Sequence, residues 1–77
     1  MSRRDKILRA IAAYWADQQF GPSLRDLTAA TGVPLATLKR EVEDARAAGL
    51  VAFTDRQPRT VRLTDTGRAH VQEPAGT

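Results

Sequence analysis

The chain of 77 residues has no cysteine, and a single histidine, His70. Without cysteine it can form neither a disulfide framework nor a thiolate zinc site. It has two serines, Ser2 and Ser23, and no glycine-rich phosphate loop, so the usual nucleophile and base pairings are missing. Glu41, Glu43 and Asp44 fall within less than one helical turn, which points their carboxylates in different directions rather than at one ion. No enzyme is expected from this inventory: no catalytic residue, no metal ligand and no cofactor. No apolar run approaches the ~18 residues of a membrane span, and "MSRRDKILRA" lacks the apolar core of a signal peptide. The expectation is a protein without a membrane partner, cytoplasmic and nucleoid-associated.

What is present is a modest positive balance. Twelve Lys and Arg against nine Asp and Glu give a net charge of +3, and ten of the twelve are arginine. A basic chain favours an anionic partner, nucleic acid first. Abundant arginine and alanine also follow from a GC-rich genome, so that bias carries little functional weight. The length is that of one small domain, which buries only about 60% of the surface its unfolded form exposes. Its candidate core is Ile7, Leu8, Ile11, Trp15, Phe20, Leu24, Leu27, Val33, Leu38, Val42, Leu50, Val51, Phe53, Val61 and Leu63. Each can contribute roughly 1.5–3 kcal/mol when fully buried, mostly offset by chain entropy. Little space remains for an enclosed active site.

Periodicity divides the chain. Over residues 3–19, Ile7, Leu8, Ile11, Ala12 and Trp15 form one helical stripe, with Arg3, Arg4, Asp5, Lys6 and Arg9 opposite. "FGPS" stops this helix, with Gly21 as the expected left-handed cap. Ser23 and Asp26 make an S-x-x-D capping box for a short helix ending near Thr31 and Gly32. Pro34 opens the next helix, residues 34–48, in which Leu35, Leu38, Val42 and Ala45 recur until Gly49. "LVAFT" and "TVRLT" then alternate with period two around "DRQPR", a hairpin with a longer-than-minimal loop. "DTGRAHV" can add a last helical turn or two with Thr64 or Asp65 as cap. The expected fold is mainly α with a small β-hairpin (α+β), three helices plus a two-stranded wing. It occupies residues 1–70, and residues 71–77 form a flexible tail.

"LRDLTAATGVPLATLKREV" fits a helix-turn-helix: two apolar-locked helices at a wide angle, with the outer face of the second projecting away. That face can enter a major groove, its N-terminal half nearest the bases. A hairpin directly after it forms a wing.

"FGPSLRDLTAATGV…EDARAAGLVAFTDRQPRTVRLT", roughly residues 5–64, resembles the winged-helix DNA-binding domain of LexA-type SOS repressors. The matching motifs are the "PSLRDL" opening of the second helix, the "AAGLV" exit of the third, and a Pro-Arg near the wing tip. "VRLTDTGRA" is also similar to the wing and following helix of MarR-like regulators. The turn between the helices is about one residue shorter than is usual in the LexA type. The self-cleaving domain of that type and the long dimerisation helix of MarR-like proteins have no counterpart within these residues. The resemblance therefore implies a DNA-binding fold, and neither a particular operator nor an SOS response.

The expected DNA surface follows residue by residue. Leu35, Ala36, Lys39, Arg40 and Glu43 point outward from the recognition helix, and Thr37 lies near its start. Lys39 or Arg40 can meet guanine O6/N7 or a phosphate, Leu35 or Ala36 a thymine methyl, and Glu43 cytosine N4. Ser23 opens a helix N-terminus suited to a phosphate, with Arg25 beside it. Arg56, Gln57 and Arg59 make the tip of the wing, residues 55–60. Each of these side chains also has a plainer role: a surface Lys or Arg is as often a solvated charge, and Ser23 is a cap in any case. Trp15 and Phe20 read as core rather than base-stacking platforms. The acidic residues 41, 43 and 44 would repel a phosphate backbone that they faced.

The expected function is sequence-specific binding of double-stranded DNA by a small repressor-like transcriptional regulator, of a kind found in phage or mobile elements. A lone module buries only ~600–1,000 Å² on DNA, so a homodimer, repeated sites or a protein partner would supply specificity. The alternative is a protein-binding winged helix, an adaptor or inhibitor of another regulator or polymerase. It draws on the acidic half of the third helix and the small net charge.

Overall fold

The computed structural model describes residues 2–54, 57 and 59–72. Over these described residues the architecture is a mainly helical α+β winged helix, with four helices where the sequence implies three. The helices are α1 (Arg3–Gln18), α2 (Leu24–Thr31), α3 (Leu35–Ala47) and α4 (Asp65–Gln72). Strands β1 (Val51–Ala52) and β2 (Arg62–Leu63) pair antiparallel, Val51 opposite Leu63 and Ala52 opposite Arg62.

Ser2 starts α1 by accepting the Asp5 amide at 3.1 Å. The left-handed residue that ends it is Gln19 (φ 64), not Gly21. A cap has to follow the last helical residue directly for its N–H to reach back, here to the Trp15 carbonyl at 3.0 Å, and Gly21 comes two residues too late. Gly21 serves a close approach instead. A Cβ there would lie 2.2 Å from the Arg59 carbonyl oxygen, so only glycine lets the wing backbone lie against the α1–α2 junction.

The capping box at α2 forms as expected: the Asp26 amide donates to Ser23 Oγ at 3.0 Å, and the Ser23 amide to Asp26 Oδ2 at 2.9 Å. Gly32 (φ 75) caps the other end. Thr31 then bridges the turn. Its buried hydroxyl donates to the Leu27 carbonyl at 2.7 Å and accepts the Val33 amide at 3.2 Å. Pro34 is the N-cap of α3 and Ala48 its C-cap, so the expected range 34–48 is the observed helix plus one capping residue at each end.

The ladder is shorter than the alternating residues imply. Thr60 Oγ1 takes the Thr54 amide at 2.9 Å, replacing the backbone partner that would have extended it. Thr64 Oγ1 accepts the Gly67 amide at 3.0 Å and caps α4. That helix passes the expected boundary at residue 70, because Val71 packs against the core and His70 Nε2 lies 2.7 Å from Asp5 Oδ1 on α1. The expected tail, beyond residue 72, lies outside the described residues.

One aliphatic cluster receives every element: Ile7, Leu8 and Ile11 from α1; Leu27 from α2; Val33 from the turn; Leu38, Val42 and Ala45 from α3; and Leu50, Val51, Val61 and Leu63 from the hairpin and its approach. Trp15, Leu24 and Phe53 pack at its margin, half-buried. Trp15 Nε1 donates to the Val61 carbonyl at 2.8 Å, which explains its place at the edge: the indole N–H needs a partner. Phe20, expected in the core, is 44% exposed. It follows the left-handed Gln19 and lies edge-on to Tyr14, ring centroids 5.7 Å apart.

Gly21→Ala is expected to lower stability by about 1–3 kcal/mol, the usual cost of forcing atoms into a filled contact. Urea unfolding measures this. Trp15 fluorescence should shift to the red as the wing lifts from α1, and wild-type stability with unchanged emission would contradict the close contact.

Candidate nucleic-acid interface

The start of α2, the outer face of α3 and the wing surround one groove of about 650 Å³. Pro22, Leu24, Val42, Phe53 and Val61 contribute apolar surface to it. Ser23 and Arg25 come from the start of α2; Leu35, Lys39 and Glu43 from successive turns of α3; Gln57, Arg59 and Thr60 from the wing. The 3.6-residue period explains the α3 set, because positions 35, 39 and 43 are one stripe at i, i+4 and i+8.

Most of the sequence-predicted site residues therefore meet around one concavity. Ala36 and Arg40 are exposed on α3 but do not line the groove, and Thr37 is half-buried. Arg56 lies outside the described residues. Leu35 is 44% exposed and lines the groove beside its apolar surface. Among the described residues Arg25, Lys39 and Arg40 form no ion pair.

The acidic half of α3 divides. Glu41 turns to α1, where Arg3 Nη1 lies 3.4 Å from its Oε2. Glu43 stays at the groove, 64% exposed, with Arg46 Nη1 3.9 Å away on the next turn. The Arg46 guanidinium in turn stacks 4.2 Å from the centre of the Phe53 ring and joins the exit of α3 to the first arm of the wing.

Arg59 does not project from the wing as a free tip. Its Nη1 donates to Asp26 Oδ2 at 3.0 Å, to the Tyr14 hydroxyl at 3.1 Å and to the Gly21 carbonyl at 3.4 Å. The guanidinium also stands 5.3 Å from the centre of the Phe20 ring. The Tyr14 hydroxyl above all, with Asp26 also contributing, raises the pKa of Arg59 above its ordinary value. The carboxyl of Asp26 is lowered, chiefly by the hydrogen bond from the Ser23 amide, with Ser23 Oγ, Tyr14 and Arg59 adding to it. Asp5 is lowered too, mainly by its hydrogen bond with His70.

Sequence reasoning missed Tyr14, Asp26 and Thr60. Asp26 was visible only as a capping residue, since no local pattern announces a partner 33 positions away. Thr60 sits inside the wing, where its hydroxyl lies 2.9 Å from the Gln57 carbonyl and 3.3 Å from that of Thr54.

No family model matches the chain, and no curated protein matches it. Several solved structures are similar, among them two regulators. One is Bordetella bronchiseptica BpsR, whose DNA binding is regulated by 6-hydroxynicotinic acid: 32% identity, TM-score 0.78, covering 95% of this chain and 51% of that one. The other is the M. tuberculosis transcriptional regulator MosR: 29% identity, TM-score 0.67, covering 91% of this chain and 58% of that one. The chain thus spans between half and three fifths of the solved chains it resembles. These neighbours support a likeness to winged-helix regulators of the MarR-like kind, and do not single out the LexA type.

The depressed carboxyl of Asp26 sets a pH dependence. Its stabilisation is complete above the ordinary value of 3.8 and is lost as pH falls from there through the lower folded-state value. Asp26→Asn should therefore show a shallower loss of stability on acidification below about pH 5 than the wild type, the remaining slope coming partly from Asp5. Urea denaturation at stepped pH checks this, and identical slopes would contradict it.

Proposed function

We propose that the chain is a sequence-specific double-stranded-DNA-binding module of a transcriptional regulator, with α3 in the major groove and the wing, residues 55–60, on the adjacent groove or backbone. The observation that carries this reading is the convergence of Arg25, Lys39 and the wing on one side of the fold, beside the exposed face of α3. That is the side a winged helix turns to a duplex.

Each part has a definite task. Arg40 and Ala36, one helical turn apart on the exposed face of α3, meet base edges: Arg40 a guanine, Ala36 a thymine methyl. Lys39 and Leu35 face the wing side, Lys39 toward a phosphate. Among the described residues no side chain caps the amides that open α3, which leaves them available to an acceptor alongside Thr37. Ser23 and Arg25 meet the backbone where α2 begins, and Gln57 faces it from the wing. Glu43 excludes phosphate from its own turn and can accept from a cytosine N4.

Net charge of +3 argues for a modest number of phosphate contacts and hence a modest salt dependence. A second copy, repeated sites or a protein partner then supplies the affinity that one small footprint lacks. The likeness to BpsR and MosR supports a regulator.

The exposed Leu35 at the mouth of an apolar groove favours a second reading, in which the same surface holds a protein. Selection from a random oligonucleotide pool, followed by mobility shifts between about 50 and 200 mM salt, decides between them. We expect an enriched site, a loss of about 5- to 150-fold at that site for Arg40→Ala, and a uniform loss across sequences for Arg25→Ala with a salt slope lower by about 0.9. No enriched sequence, or no effect of Arg40→Ala, would overturn the DNA reading.

A further inference from the structure

We infer that Arg59 positions the wing rather than contacting DNA: its guanidinium clasps the wing to the start of α2 through Asp26, Tyr14 and Gly21, and this clasp sets the distance between wing and α3. The inference rests on the DNA-binding reading of the groove for its consequence, and on geometry alone for the clasp.

The wing needs such a clasp because its own ladder is minimal. Two residue pairs join β1 and β2, and an isolated two-stranded hairpin is at best marginally stable. Its direction must come from outside. Two successive residues of α1 supply it, since Trp15 holds the Val61 carbonyl at 2.8 Å and Tyr14 takes a hydrogen bond from Arg59 at 3.1 Å. The first pins the root of the second arm, and the second pins a point two residues further along the wing.

Backbone and side chain agree on the same point. Arg59 adopts a left-handed conformation (φ 64) that non-glycine residues seldom take. Its carbonyl oxygen lies 2.2 Å from where a Cβ of residue 21 would be, so the main chain is seated on Gly21 while the guanidinium reaches past it to Asp26. Asp26 is itself fixed, because the same Oδ2 accepts the Ser23 amide at 2.9 Å. Phe20 and Tyr14 wall the guanidinium, which gives the exposed Phe20 ring a task. One carboxylate oxygen therefore joins the start of the helix-turn-helix to the wing.

A phosphate-contacting Arg59 and a positioning Arg59 predict opposite signs. For a contact residue, Asp26 competes with the phosphate, so Asp26→Asn should tighten DNA binding and Arg59→Ala should lower the salt slope by about 0.9. For a positioning residue, Asp26→Asn should weaken binding, because the clasp loses its charge while the amide oxygen can still accept from Ser23. Arg59→Ala should weaken it without changing the slope, and the double variant should be no weaker than the weaker single one.

The experiment is a double-mutant cycle of Asp26→Asn and Arg59→Ala, read as duplex affinity against salt, with Trp15 fluorescence of the DNA-free proteins in parallel. Tyr14→Phe, which removes one hydroxyl, serves as a milder third variant. We expect each single variant to lose about tenfold in affinity, non-additively and at constant salt slope, with a red shift of Trp15 emission in all three. Tighter binding by Asp26→Asn, a reduced slope for Arg59→Ala, additive losses, or unchanged emission in all three variants would overturn the inference. If the wild type binds no duplex while the emission shifts as expected, the clasp stands and the DNA reading fails.

Discussion

A chain this short can bury one thin aliphatic cluster, and every element has to turn its apolar residues toward it. That constraint sets the fold. α1, α2 and α3 have enough stripe residues to be held by burial, and once Leu27, Val33, Leu38 and Val42 are inside, the face of α3 bearing Leu35, Ala36, Lys39 and Arg40 is turned out. The hairpin brings Leu50, Val51, Val61 and Leu63 to the cluster but joins its strands by only two residue pairs, and α4 brings the half-buried Val71. Polar links therefore complete what burial begins: Trp15 to Val61, Arg59 to Asp26, Thr64 to Gly49 and Gly67, and His70 to Asp5. Such links are directional where burial is not, so they fix where the wing and the last helix point.

The parts legible in the sequence are those held by burial and local capping. Stripes at 3.6 residues gave α1 and α3, the Ser23–Asp26 box marked the start of α2, and Gly32 marked the turn. What could not be read is non-local. Gly21 looked like a helix cap and is a seat for the wing backbone; Phe20 looked like core and stands against Tyr14 and Arg59 at the surface. Arg59 looked like a free tip and is tied to a residue 33 positions earlier. α4 was readable only as a turn or two, because its length depends on Val71 reaching the core and His70 meeting Asp5, 65 positions away. Among the candidate interface residues, periodicity correctly turned Leu35, Ala36, Lys39, Arg40 and Glu43 outward, but could not tell which of them share a groove with the wing.

The charges are sorted as well as the apolar residues. Glu41 and Asp26, which a phosphate backbone would repel, are each matched with an arginine of another element. Arg25, Lys39 and Arg40 carry no such match among the described residues. These three lie on the helix-turn-helix, while Arg4 and Arg9 on α1 and Arg62 on β2 are likewise without an ion pair among the described residues.

The most direct test of this account is a residue-resolved NMR titration with the selected duplex. It predicts shifts concentrated at residues 23–25, along 35–43 and in the wing, with the surface shared by α1 and α4 around His70 unchanged. Shifts concentrated on the α1–α4 surface, with α3 and the wing silent, would contradict it.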